Sequence, residues 1–187
     1  LEGRRPGFDL AAALFDKQLP FGQERSRWST AVCTRRAGKT YGCAAKLLGV
    51  ALSKPGCVAL YITLSRINAK RIVWQTLKEL NESFHLGGVP LEGELCIGFP
   101  NGSRVFLSGC SDASEVDKFL GLPLGIVVID EAQAFPGFLE RLVDEVLASA
   151  LVDYDGQLVS TTEGGAPVTF AYDAAGRRVS RTAGGTT

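Results

Sequence analysis

The sequence predicts an α/β fold, a mainly parallel β-sheet with helices on both faces. Three observations predict it. First, short runs made mostly of apolar and β-branched residues, "WSTAVCT" (28–34), "CVALYITL" (57–64), "GIVVIDEA" (125–132) and "GQLVSTT" (156–162), alternate with longer amphipathic stretches. A strand buried on both faces is continuously apolar, and strand–helix alternation builds parallel sheets. Second, the earliest run leads into "CTRRAGKT" (33–40), a Gly-Lys-Thr step at the entrance of a predicted helix. Third, the run before Asp130 and Glu131 carries both carboxylates to the end of a predicted strand, where open α/β sheets bind ligands.

Each element has its own local reason. After Lys39, "TYGCAAKLLGVALSK" spaces its apolar residues as a helix does and stops at Pro55–Gly56, a breaker pair. "NAKRIVWQTLKELNESF" (68–84) is an amphipathic helix with Ile72, Trp74, Leu77 and Leu80 as its core face. "GELCIGF" and "SRVFLSG" flank "PNGS", whose Asn-Gly step predicts a hairpin. Ser111 or Asp112 caps a short helix in "SDASEVDKFLG". A further helix runs from about Pro136, suited to a first turn, to Ala150. No internal repeat is evident.

Bulk properties bound the function. The 187 residues, 45% hydrophobic and 21% charged, suit one domain plus a short appendage. A formal net charge of zero argues neither for nor against a nucleic-acid partner. Arg25, Arg27, Arg35, Arg36 and Lys39 cluster around the loop, a solvated face or a phosphate-attracting one. The five cysteines, 33, 43, 57, 96 and 110, contain no C-x-x-C pair, so buried reduced thiols are expected rather than disulfides or zinc. The single histidine, His85, builds no metal site alone and is expected at the surface or in a loop. No apolar run reaches membrane-spanning length and no signal peptide is visible. The chain starts with Leu and has no methionine, so a piece of a longer protein is expected.

The chemistry lies in two motifs. In a strand–loop–helix unit, backbone N–H groups of Thr34 to Tyr41 and the helix N-terminus surround phosphate oxygens. Lys39 then reaches the β- and γ-phosphates and Thr40 ligates Mg²⁺. Cys33 stands where the usual G-x-x-x-x-G-K-[ST] pattern has glycine, which is tolerable if its φ stays negative. Arg35 and Arg36 neutralise charge developing at the γ-phosphate or only steer phosphate. Asp130 suits the Mg²⁺ shell through water, and Glu131 is positioned to polarise a water in line with the γ-phosphate.

With these residues in place, the chain resembles the ATPase domain of large terminase subunits, the motors that package DNA into tailed-phage capsids. "CTRRAGKT" is similar to that family's deviant phosphate loop, "ALYITLSRINAKRIVWQTL" to its second strand and following helix, and "NGSRVFLSGCSDASEVDKFLGLPLGIVVIDEAQAF" to the approach and acidic strand. The likeness covers about residues 14–162. It implies a P-loop NTPase of the ASCE type that hydrolyses ATP with Mg²⁺. It also implies a homo-oligomeric ring on the capsid portal, a small terminase subunit as partner, double-stranded DNA as the load and the host cytoplasm as location. By the same likeness Gln18 matches an adenine-contacting glutamine, against an ordinary surface amide. Ala37 and Gly38 belong to the loop, and Thr161 and Thr162 match a coupling motif at a strand end.

Two departures from the family pattern are visible. The chain is too short to hold the family's nuclease, and Asp153, Asp155 and Asp173 are not assigned to one. The tail "VTFAYDAAGRRVSRTAGG" (168–185) is similar instead to a single YD repeat of Rhs-type shell proteins. The expected organisation is an ATPase domain over 1–165 and a tail over 166–187, disordered or foreign. A helicase-like ATPase and a non-hydrolysing nucleotide-binding assembly piece remain the alternative functions.

Overall fold

The computed structural model describes residues 8–34, 36–135, 137–163, 169–172 and 178–182. Two short N-terminal helices, α1 (Leu10–Ala13) and α2 (Leu19–Gln23), precede β1 (Trp28–Cys33) and the long helix α3 (Lys39–Ser53). Strand β2 (Val58–Thr63) follows the predicted Pro55–Gly56 break, where Gly56 takes φ 75°. Next comes one continuous helical run: α4 (Arg66–Ala69), a π-helical stretch Lys70–Trp74, and α5 (Gln75–Ser83). The sheet continues through β3 (Val89–Leu91), β4 (Cys96–Gly98) and β5 (Arg104–Gly109). A 3-10 helix, Ala113–Phe119, leads to β6 (Leu124–Ile129). After it come α6 (Leu139–Arg141), a π-helical stretch Leu142–Leu147, α7 (Ala148–Ala150) and β7 (Gln157–Glu163). Strands β8 (Thr169–Tyr172) and β9 (Arg178–Thr182) form a separate antiparallel pair.

The main sheet has seven strands in the order β1-β7-β6-β2-β5-β4-β3. The pairs from β1 to β5 are parallel, and β4 and β3 extend the sheet antiparallel. This is the mainly parallel α/β architecture, with helices on both faces, that the sequence predicts. Helices cover both faces. On one, Leu47 and Leu48 of α3 pack with Trp74, Leu77 and Leu80 over Tyr61, Val128 and Val159. On the other, Phe119, Leu142, Val146 and Leu147 cover Leu60, Ile62, Val127 and Leu158.

Several elements depart from their predicted form. The helix expected over 68–84 carries a π-helical stretch, whose wider turn rotates the inward face. Val73 and Trp74 are therefore buried, while Ile72, expected in the core, packs at its margin. The last long helix begins at Leu139, and Pro136 lies outside the described residues. The hairpin forms, but with a five-residue link, 99–103, closed by Phe99 N–H donating to Ser103 O at 2.9 Å. Asn101 shapes it through its side chain, whose Oδ1 accepts from Ser103 N at 3.0 Å and Ser103 Oγ at 2.6 Å. Asp112 is the cap of the next helix, accepting from Ser114 N at 2.8 Å. Among the described residues no helix is long and apolar enough to cross a membrane.

Candidate functional site

Strand β1 ends at Cys33, and its backbone stays extended there, so the position needs no glycine. The left-handed turns fall later, at Arg36 (φ 62°) and Gly38 (φ 76°), immediately before α3 begins at Lys39. Gly38 is therefore the residue of the loop that conformation demands. Thr34, Arg36 and Ala37 are exposed, Thr40 is half-buried in the first helical turn, and Tyr41 is at the surface. Arg35 lies outside the described residues.

Strands β1 and β6 are separated by β7, and this order brings three side chains together at the carboxyl ends of the strands. Lys39 Nζ pairs with Asp130 Oδ1 at 2.8 Å. Thr161 Oγ1 of β7 donates to the same oxygen at 2.5 Å, and Glu131 N–H donates to it at 3.1 Å. The fourth partner is Tyr61 of β2, whose hydroxyl donates to Asp130 Oδ2. Asp130 is 2% exposed. Burial alone would raise its carboxyl, but hydrogen bonds from Lys39, Thr161 and Tyr61 and the Lys39 charge outweigh it and hold the group below the usual aspartate value. Burial and the charge on Asp130 push the Tyr61 phenol strongly up, so it remains a donor. Glu131 is half-buried with φ 54° and ψ 48°, a left-handed backbone rare outside glycine.

Beside the loop lies a cavity of about 750 Å³, within the size range of small-molecule sites. Phe15, Gln18, Phe21, Val32, Cys33 and Lys39 are among its walls, as are Thr34, Ala37 and Gly38. Gln18 is not the surface amide that was one reading of it. It is 8% exposed, its Nε2 donates to Gly38 O at 2.8 Å, and its buried Oε1 has no protein partner. The α2 helix that follows Gln18 is tied down by Lys46 of α3, whose Nζ donates to Phe21 O at 3.1 Å and Glu24 O at 2.5 Å.

The structure thus gathers Lys39, Asp130 and Thr161, and sets Gln18 against the loop. Thr162 is not gathered with them: strand alternation turns it to the opposite face, where its buried hydroxyl has no partner. Tyr61 was missed by sequence reasoning. Its signal was a lone phenol in an aliphatic buried strand, which must find a hydrogen-bond partner.

Comparison with known proteins gives two findings. The structural neighbours are phage large terminase ATPase domains. The ATPase domain of the Thermus phage P74-26 large terminase is 19% identical, with a TM-score of 0.58 over 79% of this chain and 64% of that one. The large terminase of a thermophilic bacteriophage in complex with ADP is 19% identical, with a TM-score of 0.65 over 79% of this chain and 38% of that one. The bacteriophage HK97 large terminase is 16% identical, with a TM-score of 0.60 over 80% of this chain and 33% of that one. The chain therefore spans less than two thirds of each of these neighbours, and at these identities the likeness establishes the fold. No curated protein sequence matches the chain.

The second finding is that the RHS Repeat family model matches residues 152–187. The match starts earlier than the tail likeness drawn from the sequence and takes in β7, with Thr161 and Thr162. "GQLVSTT" (156–162) and "GRRVSRT" (176–182) share Gly, Val, Ser and Thr at the same steps.

Proposed function

We propose that this chain binds and hydrolyses ATP, as the nucleotide-driven part of a machine that moves double-stranded DNA into a phage capsid. The observation that carries the reading is the contact between Lys39, opening α3 after the glycine turn, and the buried Asp130 at the end of β6, two strands away. A phosphate loop and an acidic strand end in this relation serve phosphoryl transfer.

The residues present fit both ligands. The backbone N–H groups of Gly38, Lys39 and Thr40, at the N-terminus of a fifteen-residue helix, receive phosphate oxygens. Lys39 adds the positive charge. Gln18 offers its unpartnered Oε1 to an amino group of the base, in a cavity walled by Phe15 and Phe21. One ionised carboxylate, Asp130, together with the Thr40 hydroxyl of the first turn of α3, would be the sparse oxygen set of a Mg²⁺ ion that keeps several of its waters. Bound there, Mg²⁺ would neutralise charge on the phosphate oxygens. Glu131 takes the proton of the attacking water as the bond from the γ-phosphorus to the bridging oxygen breaks, giving ADP and phosphate. Arg36 at the loop, with Arg35, offsets charge on the transferring group. Thr161 joins β7 to the site through Asp130, and Thr162 belongs to the same strand end. Assembly as a homo-oligomeric ring on the capsid portal, with a small terminase subunit, in the host cytoplasm, belongs to this reading and rests on the kind of neighbours found.

A second reading, nucleotide binding without turnover, is favoured by one observation: the strand that grips Asp130 falls inside the RHS Repeat match. Turnover decides between them. Wild type is expected to release phosphate from ATP with Mg²⁺, and Glu131→Gln to bind ATP while turning over about 10²- to 10⁴-fold more slowly. Wild-type binding without phosphate release would establish the second reading instead.

A further inference from the structure

We propose that Tyr61 is a positioning residue for the site's metal carboxylate: with Thr161 it grips Asp130 from both neighbouring strands and fixes which edge of the carboxylate faces the phosphate loop. The inference rests on the ATPase reading above.

Strand β6 lies between β7 and β2, and each neighbour sends one hydroxyl to Asp130. Tyr61 pairs in register with Val128, two residues before Asp130 and on the same face of the sheet, so its ring runs along the strand to the carboxylate. It takes Oδ2, while Thr161, Glu131 N–H and Lys39 share Oδ1. An ionised carboxylate has about four acceptor positions, and the protein fills that number. The four donors differ in kind. Tyr61 and Thr161 stand on central strands and are both 0% exposed, so they cannot swing away. Lys39 is a flexible side chain at the start of α3, and its ammonium is the donor that can leave for a phosphate. Removing the Tyr61 hydroxyl frees Oδ2 and lets the carboxylate rotate about its own bond, while the aromatic ring still fills the core. The sequence shows the same arrangement as an anomaly, since "VALYITL" is otherwise free of large polar groups.

The test is Tyr61→Phe, read as ATP affinity against Mg²⁺ concentration, with thermal unfolding alongside. The expected result is wild-type affinity in EDTA with a Mg²⁺ half-saturation about tenfold higher, the size of losing one oriented partner beyond the metal's own ligands. Thr161→Val, which removes one of the three donors on the other oxygen, is the second variant and is expected to shift the half-saturation in the same direction. If Tyr61→Phe or Thr161→Val unfolds at a lower temperature yet keeps the wild-type Mg²⁺ dependence, the hydroxyl only satisfies a buried group and the proposal is overturned. If wild type itself binds no ATP with or without Mg²⁺, the ATPase reading falls and this inference with it.

Discussion

Lys46 shows how much one residue of this chain depends on its surroundings. Its ammonium is buried against two backbone carbonyls, and burial pulls it down to about 8 from the usual 10.5, the charge on Glu24 only partly opposing this. A neutral amine still has two donors for the carbonyls of Phe21 and Glu24. Between about pH 8 and 10.5 the unfolded chain holds a proton here that the folded chain has released, so this group's contribution makes stability rise with pH across that window. The unfolding free energy of wild type is therefore expected to climb relative to Lys46→Met between those limits, and a flat difference would contradict the account. The sequence did not announce Lys46, which sits in a helix whose other inward residues are apolar. Lys39, Asp130 and Glu131 were legible because their spacing to a strand end is a local property. Tyr61 was not, since its partner lies 69 residues away, and Gln18 was named by likeness alone, its contact with Gly38 20 residues on being a product of the fold.

At the level of elements, the strands were legible wherever burial on both faces makes them continuously apolar. Strand β3 was not: Val89-Pro90-Leu91 is short and exposed, and proline is confined to sheet edges, where β3 lies. The π-helical stretches were also hidden, because an extra residue per turn leaves a pattern still close to that of a helix. The junction between β5 and α4 carries a sharper constraint. A Cβ on Gly109 would stand 2.3 Å from Arg66 N and 2.6 Å from Ser65 C, both backbone atoms that cannot swing aside. Gly109→Ala is expected to lower stability by about 1–3 kcal/mol, the range for forcing atoms into a packed site. Gly98→Ala in β4, where the added Cβ meets nothing within 4 Å, is the control and is expected to stay within about 0.5 kcal/mol. Equal urea midpoints for the two variants would show that the backbone there gives way.

For the molecule as a whole, the most consequential feature is where two likenesses overlap. Strand β7 sits between β1 and β6, so it separates the phosphate loop's strand from the acidic strand and supplies Thr161 to Asp130. The same residues lie in the RHS Repeat match. The two descriptions are physically compatible: "GQLVSTT" is apolar and buried at Leu158 and Val159, as a central strand requires, with hydroxyls at the end that meets the site. The sequence places the boundary at residue 166, ahead of the tail that carries Tyr-Asp-x-x-Gly-Arg.

Equilibrium binding of ATP with Mg²⁺ to wild type and Lys39→Ala tests the proposed nucleotide site most directly. The predicted result is saturable wild-type binding at or below millimolar ATP, weakened at least about tenfold in the variant, a loss of about 1.4 kcal/mol or more. Absence of wild-type binding at millimolar ATP, or equal binding by the two proteins, would contradict it.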